Sequence, residues 1–132
     1  MYQAGEVLNL ILIDEMNEML KEIADEIPEP FYAHLNGGVI LSPKTVLHDD
    51  DVDGSLFTLG EYHHDNMGRY IVLYYGSFRE TCAGMSRKML YRKLKKTLLH
   101  EFTHHIESLA GERGLERRDA IEIAKYRRKM GL

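Results

Sequence analysis

The stretch Leu98-Leu99-His100-Glu101-Phe102-Thr103-His104-His105-Ile106-Glu107 decides how this chain is read. It lies inside the longest run free of Gly and Pro, from Ser86 to about Ala110, with Ser86 placed as an N-cap and Gly111 as a C′ residue. At 100° per residue, Leu94, Leu98, Phe102, Ile106 and Leu109 fall on one side of that helix. His100 and His104 point almost oppositely, so the apolar stripe packs a core while the two histidines face a cleft or solvent. His105 falls on the core side, as a packed or hydrogen-bonding residue.

His100-Glu101-Phe102-Thr103-His104 is an HExxH pattern. Histidines four residues apart lie about one turn apart on the same helix face, so both imidazoles can reach one Zn²⁺ ion. Glu101 then stands where a general base can take a proton from a metal-activated water. Catalytic zinc requires a third protein ligand. Glu107 shares the face of His104, but at 1.5 Å per residue it is about 10 Å along the helix from His100. That distance suits an orienting role behind the ligands rather than direct ligation. The third ligand is expected after the helix ends, where the chain folds back, with Glu112, Glu116, Asp119 and Glu122 as candidates.

Outward from the helix, the pattern is helix, strands, helices, which predicts an α+β domain rather than repeating βαβ units. Val7, Leu8, Ile11, Leu12, Met16, Met19, Leu20 and Ile23 recur at helical spacing and predict a helix over 5–27, stopped by Pro28 and Pro30. Residues 31–41 read as a strand interrupted at Gly37-Gly38. Residues 56–63 and 69–78 form the clearest strand pair, with turn residues Asp65-Asn66-Met67-Gly68 between them. A shorter helix is expected over 116–129.

The stretch 98–107, preceded by an Arg- and Lys-rich helix, resembles the minimal zincin-like metallopeptidases of bacteria. Leu56 to Phe78, with Leu59-Gly60 followed by Ile71-Val72-Leu73-Tyr74, is similar to that family's glycine-containing strand and the apolar strand after it. The resemblance implies one zincin-like domain over residues 1–132, with an N-terminal helix, a small mixed sheet, a long active-site helix and a C-terminal helix. It implies Zn²⁺-dependent hydrolysis of peptide or protein substrates, with an edge strand holding extended peptide by main-chain pairing. The family places a glycine three residues after the second motif histidine, where this chain has Glu107. Gly114-Leu115-Glu116 resembles a delayed form of the family's Gly-Leu-acid element, which makes Glu116 the third ligand. The alternative is a zincin-like protein that binds zinc without turnover.

Composition narrows the rest. At 132 residues the chain has room for one core and no separate substrate lobe, and 44% hydrophobic with 29% charged residues is globular rather than disordered. The single cysteine, Cys82, excludes an internal disulfide and fits a reducing compartment. The short run Leu10–Ile13 fits neither a signal peptide nor a membrane span, so a cytoplasmic protein without a membrane partner is expected. The net charge of −4 hides an asymmetry: residues 1–61 carry 13 acids and 2 bases, residues 62–132 carry 8 acids and 15 bases. With no nucleic-acid-binding motif present, the two halves are expected to pack as complements rather than to bind nucleic acid. Asp49-Asp50-Asp51-Val52-Asp53-Gly54 opens like a calcium loop, but its twelfth position is Gly60, so an acidic turn is expected. His63-His64-Asp65 reads as a turn-flanking pair rather than a second metal site. Tyr74, Tyr75, Tyr91, Arg69 and His63 are the candidates for stabilising an oxyanion.

Overall fold

A computed structural model describes residues 11–112 and 116–131. Its elements are helix α1 (Ile13–Glu26), a 3-10 turn (Glu29–Tyr32), strands β1 (Gly38–Ser42), β2 (Val46–Leu47), β3 (Phe57–Thr58), β4 (Gly60–Asp65) and β5 (Gly68–Tyr74), then helices α2 (Tyr75–Thr81), α3 (Arg87–Glu112) and α4 (Arg117–Lys129). The fold is α+β. Among the described residues no helix is long and apolar enough to cross a membrane.

Helix α1 buries Met16, Leu20 and Ile23, one per turn, and leaves its acids outside. Its first turn is closed by the Glu15 carboxylate, which accepts the Leu12 N–H at 3.0 Å. Residues 5–10 of the expected helix lie outside the described residues. Pro28 and Pro30 end α1 and start the 3-10 turn, where proline's fixed φ and missing N–H cost nothing. That turn drives Phe31 into the core, 1% exposed. The expected strand over 31–41 is therefore confined to its second half, Gly38–Ser42.

A three-stranded sheet has the order β1-β5-β4, with β1 parallel and β4 antiparallel to the central β5. Strands β2 and β3 form a separate two-stranded ribbon. Alternation along β5 buries Ile71 and Leu73 completely. The turn between β4 and β5 forms at the expected residues: Asp65 Oδ1 accepts the Met67 N–H at 2.9 Å, and Gly68 takes φ +103°. The second strand ends four residues earlier than its composition suggests. Gly76 N–H donates to Lys44 O (3.0 Å) and Ser77 Oγ accepts the Val46 N–H (2.9 Å), and these bonds hold Tyr75–Thr81 as a helix against the β2 segment. Gly76 is packed so tightly on Lys44 and Thr45 that tertiary contact overrides the β preference of Tyr75 and Phe78.

Helix α3 starts as expected, with Ser86 Oγ accepting the Met89 N–H at 3.2 Å. It does not stop at Gly111 but continues through it to Glu112. Leu90, Leu94, Leu98, Phe102, Ile106 and Leu109 are buried along it. Phe102 meets Phe31 and Tyr32 edge-on, with ring centroids 5.9 and 5.0 Å apart. Helix α4 closes the core with Ile123 and with Tyr126, which lies edge-on to Phe31. Ion pairs cross between the acidic and basic halves: Arg87 meets Glu15, and Lys95 meets Glu26 at 2.7 Å. The Tyr91 hydroxyl also donates to Glu26, at 2.8 Å.

Candidate metal centre

The helix period sets the site. With the apolar stripe of α3 against the core, His100 and His104 emerge on the opposite, exposed side. Their Nε2 atoms are 3.2 Å apart and their rings nearly perpendicular, at 85°. Two nitrogens about 2.0–2.1 Å from one tetrahedral ion stand about 3.3 Å apart, so the pair fits a shared Zn²⁺.

Glu101 lies between this pair and strand β4 and is 6% exposed. The Tyr62 main-chain N–H lies on the side of this carboxylate. Burial pushes the Glu101 carboxyl above its ordinary value of 4.5, opposed by the neighbouring His100 and His104 and by that N–H. The direction of the Tyr62 N–H follows from strand alternation. Tyr74 N–H pairs with Leu59 O at 2.9 Å, so Leu59, Glu61 and His63 direct their main-chain groups to β5. Gly60 and Tyr62 direct theirs to the open edge, beside α3. Gly60 permits the close approach: a Cβ there would stand 2.7 Å from Leu73 Cδ2 and 3.4 Å from Glu101 Cγ.

The histidines and Glu101 line an open cleft of about 810 Å³ between α3 and the β3–β4 segment. Phe57, Thr58, Leu59 and Gly60 form one wall; Lys93, Lys96 and Thr97 extend the α3 wall toward its N-terminus, and His48 and Asp49 reach the rim. Behind the cleft, His105 is fully buried. Arg69 Nη1 donates to the Tyr62 hydroxyl (3.0 Å), that hydroxyl donates to His105 Nδ1 (2.9 Å), and His105 Nε2–H donates to Ala33 O (2.8 Å). The chain of donors fixes the His105 tautomer, and burial holds its pKa below 6.5. Arg69, 5% exposed, also donates to Ser108 Oγ (2.5 Å) and to Glu112 (2.7 Å).

The structure brings together His100, Glu101 and His104. It does not bring Glu116 to them, a correction to the expected ligand set. Glu116 precedes the first turn of α4, which packs on the 3-10 turn, and it lines a separate groove with Pro28, Tyr32 and Asp119. The longer run of α3, through Gly111, carries the chain past the histidines before it turns. Gly114 and Leu115, the rest of the delayed element, lie outside the described residues. Glu107 is exposed and outside the cleft. Glu112 is held by Arg69 and stands 3.5 Å from His64. Among the described residues no three His, Cys, Asp or Glu side chains converge as a metal site.

The oxyanion candidates are all committed elsewhere. Tyr74 donates to Glu61 (2.6 Å), Tyr75 to Ile11 O (2.5 Å) and Tyr91 to Glu26, while His63 stacks on Tyr70 with centroids 4.9 Å apart. The Asp51 carboxylate accepts the N–H groups of Gly54, Ser55 and Leu56, so the acidic stretch is a self-closed turn. Sequence reasoning missed Tyr62, Lys93, Lys96 and the Arg69–Glu112 network. For the lysines a signal existed: positions 93, 96, 97, 100 and 104 share one helical stripe.

No family model matches the chain, and no curated protein matches it. The chain is similar to a solved structure of a conserved hypothetical protein from Thermus thermophilus, at 32% identity over 76% of this chain and 98% of that one, with a TM-score of 0.63. At that identity, over almost the whole of the Thermus protein, the chain belongs to the same family as that conserved hypothetical protein.

Proposed function

We propose that the protein is a zincin-like, zinc-dependent peptidase. The observation that carries this reading is the geometry of His100 and His104, whose Nε2 atoms lie 3.2 Å apart with the buried Glu101 carboxylate between them and an open strand edge. His100 and His104 would hold the ion, and the third ligand that catalytic zinc takes is not brought to them by the described residues. Bound zinc supplies a Lewis acid and brings the pKa of water to about 7. Glu101, buried between the histidines and strand β4, takes a proton from the attacking water and returns it to the leaving amine. The outward main-chain groups of β4 offer pairing to an extended peptide, which would lie across the cleft beside Glu101.

The test is hydrolysis of a mixed peptide library by the zinc-loaded protein and by its Glu101→Gln variant. The reading expects cleavage by the first and loss of cleavage with zinc retained in the second. Zinc retained by both, with no peptide cleaved by either, would favour the non-catalytic zinc-binding alternative.

A further inference from the structure

The basic residues of α3 fall into two sets. Arg87 and Lys95 face α1, where Glu15 and Glu26 neutralise them. Lys93 and Lys96 lie on the cleft side, and among the described residues no carboxylate stands within 4.0 Å of either ammonium group. Lys93 is half-buried in the wall. Thr97 beside them turns its hydroxyl back onto Lys93 O at 2.8 Å, so the lysines are the cationic donors of this end. Three acids line the cleft. Glu101 backs the histidines, Glu61 is bonded by Tyr74, and Asp49 stands on the exposed rim.

Helical rise places Lys96 and Lys93 about 6 and 10 Å before His100 along α3. An extended peptide advances about 3.3 Å per residue, so this span matches two or three residues from a bond held at the histidines. We propose that the lysine end of the cleft binds a carboxylate of the peptide, which makes peptides with a carboxylate two or three residues from the cleaved bond the substrate class. The carboxylate comes from an Asp or Glu side chain two or three residues from the cleaved bond, or from the peptide's own C-terminus. The proposal rests on the peptidase reading for the position of that bond.

Binding of fluorescent hexapeptides to the full zinc-loaded chain carrying Glu101→Gln tests it without turnover. Four peptides separate the sources: glutamate or glutamine at the third position from the centre, each with a free or amidated C-terminus. Two partly exposed ion pairs predict binding about five- to tenfold tighter for the peptide with the correct carboxylate than for the uncharged one. The advantage should disappear in Lys93→Met, Lys96→Met, while the uncharged peptide binds as before. Lys93→Glu, Lys96→Glu should reverse the preference toward a lysine-containing peptide, a gain that misfolding cannot imitate. Equal binding of charged and uncharged peptides overturns the proposal and leaves the peptidase reading standing. Carboxylate-selective binding without cleavage by the zinc-loaded wild type overturns the peptidase reading instead. Failure to bind any of the four peptides overturns both.

Discussion

Replacing His105 by leucine tests the polar network that backs the cleft. His105 has no exposed surface, and leucine is near it in volume, so the main loss is two hydrogen bonds. The Tyr62 hydroxyl loses its acceptor at 2.9 Å and Ala33 O loses its donor at 2.8 Å. A buried polar group left without a partner costs about 1–3 kcal/mol, so the pair predicts a loss of about 2–6 kcal/mol. For a domain of this size that lowers Tm by roughly 8–24 °C. Urea denaturation of wild type and variant, followed by circular dichroism, gives the difference directly. Tyr62→Phe removes one of the same bonds, so the double variant should be more stable than the summed single losses imply, by about 1–2 kcal/mol. A loss under about 0.5 kcal/mol, within the range of an ordinary surface change, would refute the assignment of this network.

Gly60→Ala forces a Cβ to within 2.7 Å of the buried Leu73 Cδ2, and should cost about 1–3 kcal/mol in urea denaturation. Glu116→Gln should leave zinc affinity unchanged by calorimetry, because Glu116 lines a different groove; a drop of about tenfold or more would return it to the ligand set. The Asp51 carboxyl is held below its ordinary 3.8, first by the Leu56 N–H and then by those of Gly54 and Ser55. Its folded pKa is depressed, so its support for the turn is complete above 3.8 and is lost as pH falls below that value. Amide exchange of Leu56, referred to the unstructured rate at each pH, should lose its protection over that window.

Periodicity made α3 legible, because one apolar face and one histidine face cannot both be satisfied by any other element. The β4–β5 hairpin was equally legible from its turn residues and the β-rich run after Arg69. Residues 75–78 were not, since their helix is fixed by Gly76 and Ser77 bonding to residues 44 and 46, about thirty positions away. The strand expected from Phe31 was lost for a local reason, the fixed φ of Pro30. At the site, the spacing of His100, Glu101 and His104 carried through to the structure. Glu116 did not, because its position depended on where α3 ended, and Gly111 proved to be a helical residue rather than a cap. A single glycine costs about 1 kcal/mol in a helix, too little to stop one that is anchored by Leu109 before it and by the Arg69–Glu112 pair after it.

His100 and His104 are proposed to hold one zinc ion. Elemental analysis of the full chain, purified without chelator and equilibrated with zinc, tests it directly when set beside the His100→Ala, His104→Ala variant. About one zinc per chain is expected in the wild type and none in the folded variant. A wild-type chain that takes up no zinc, or a variant that keeps it, would rule out the two-histidine site.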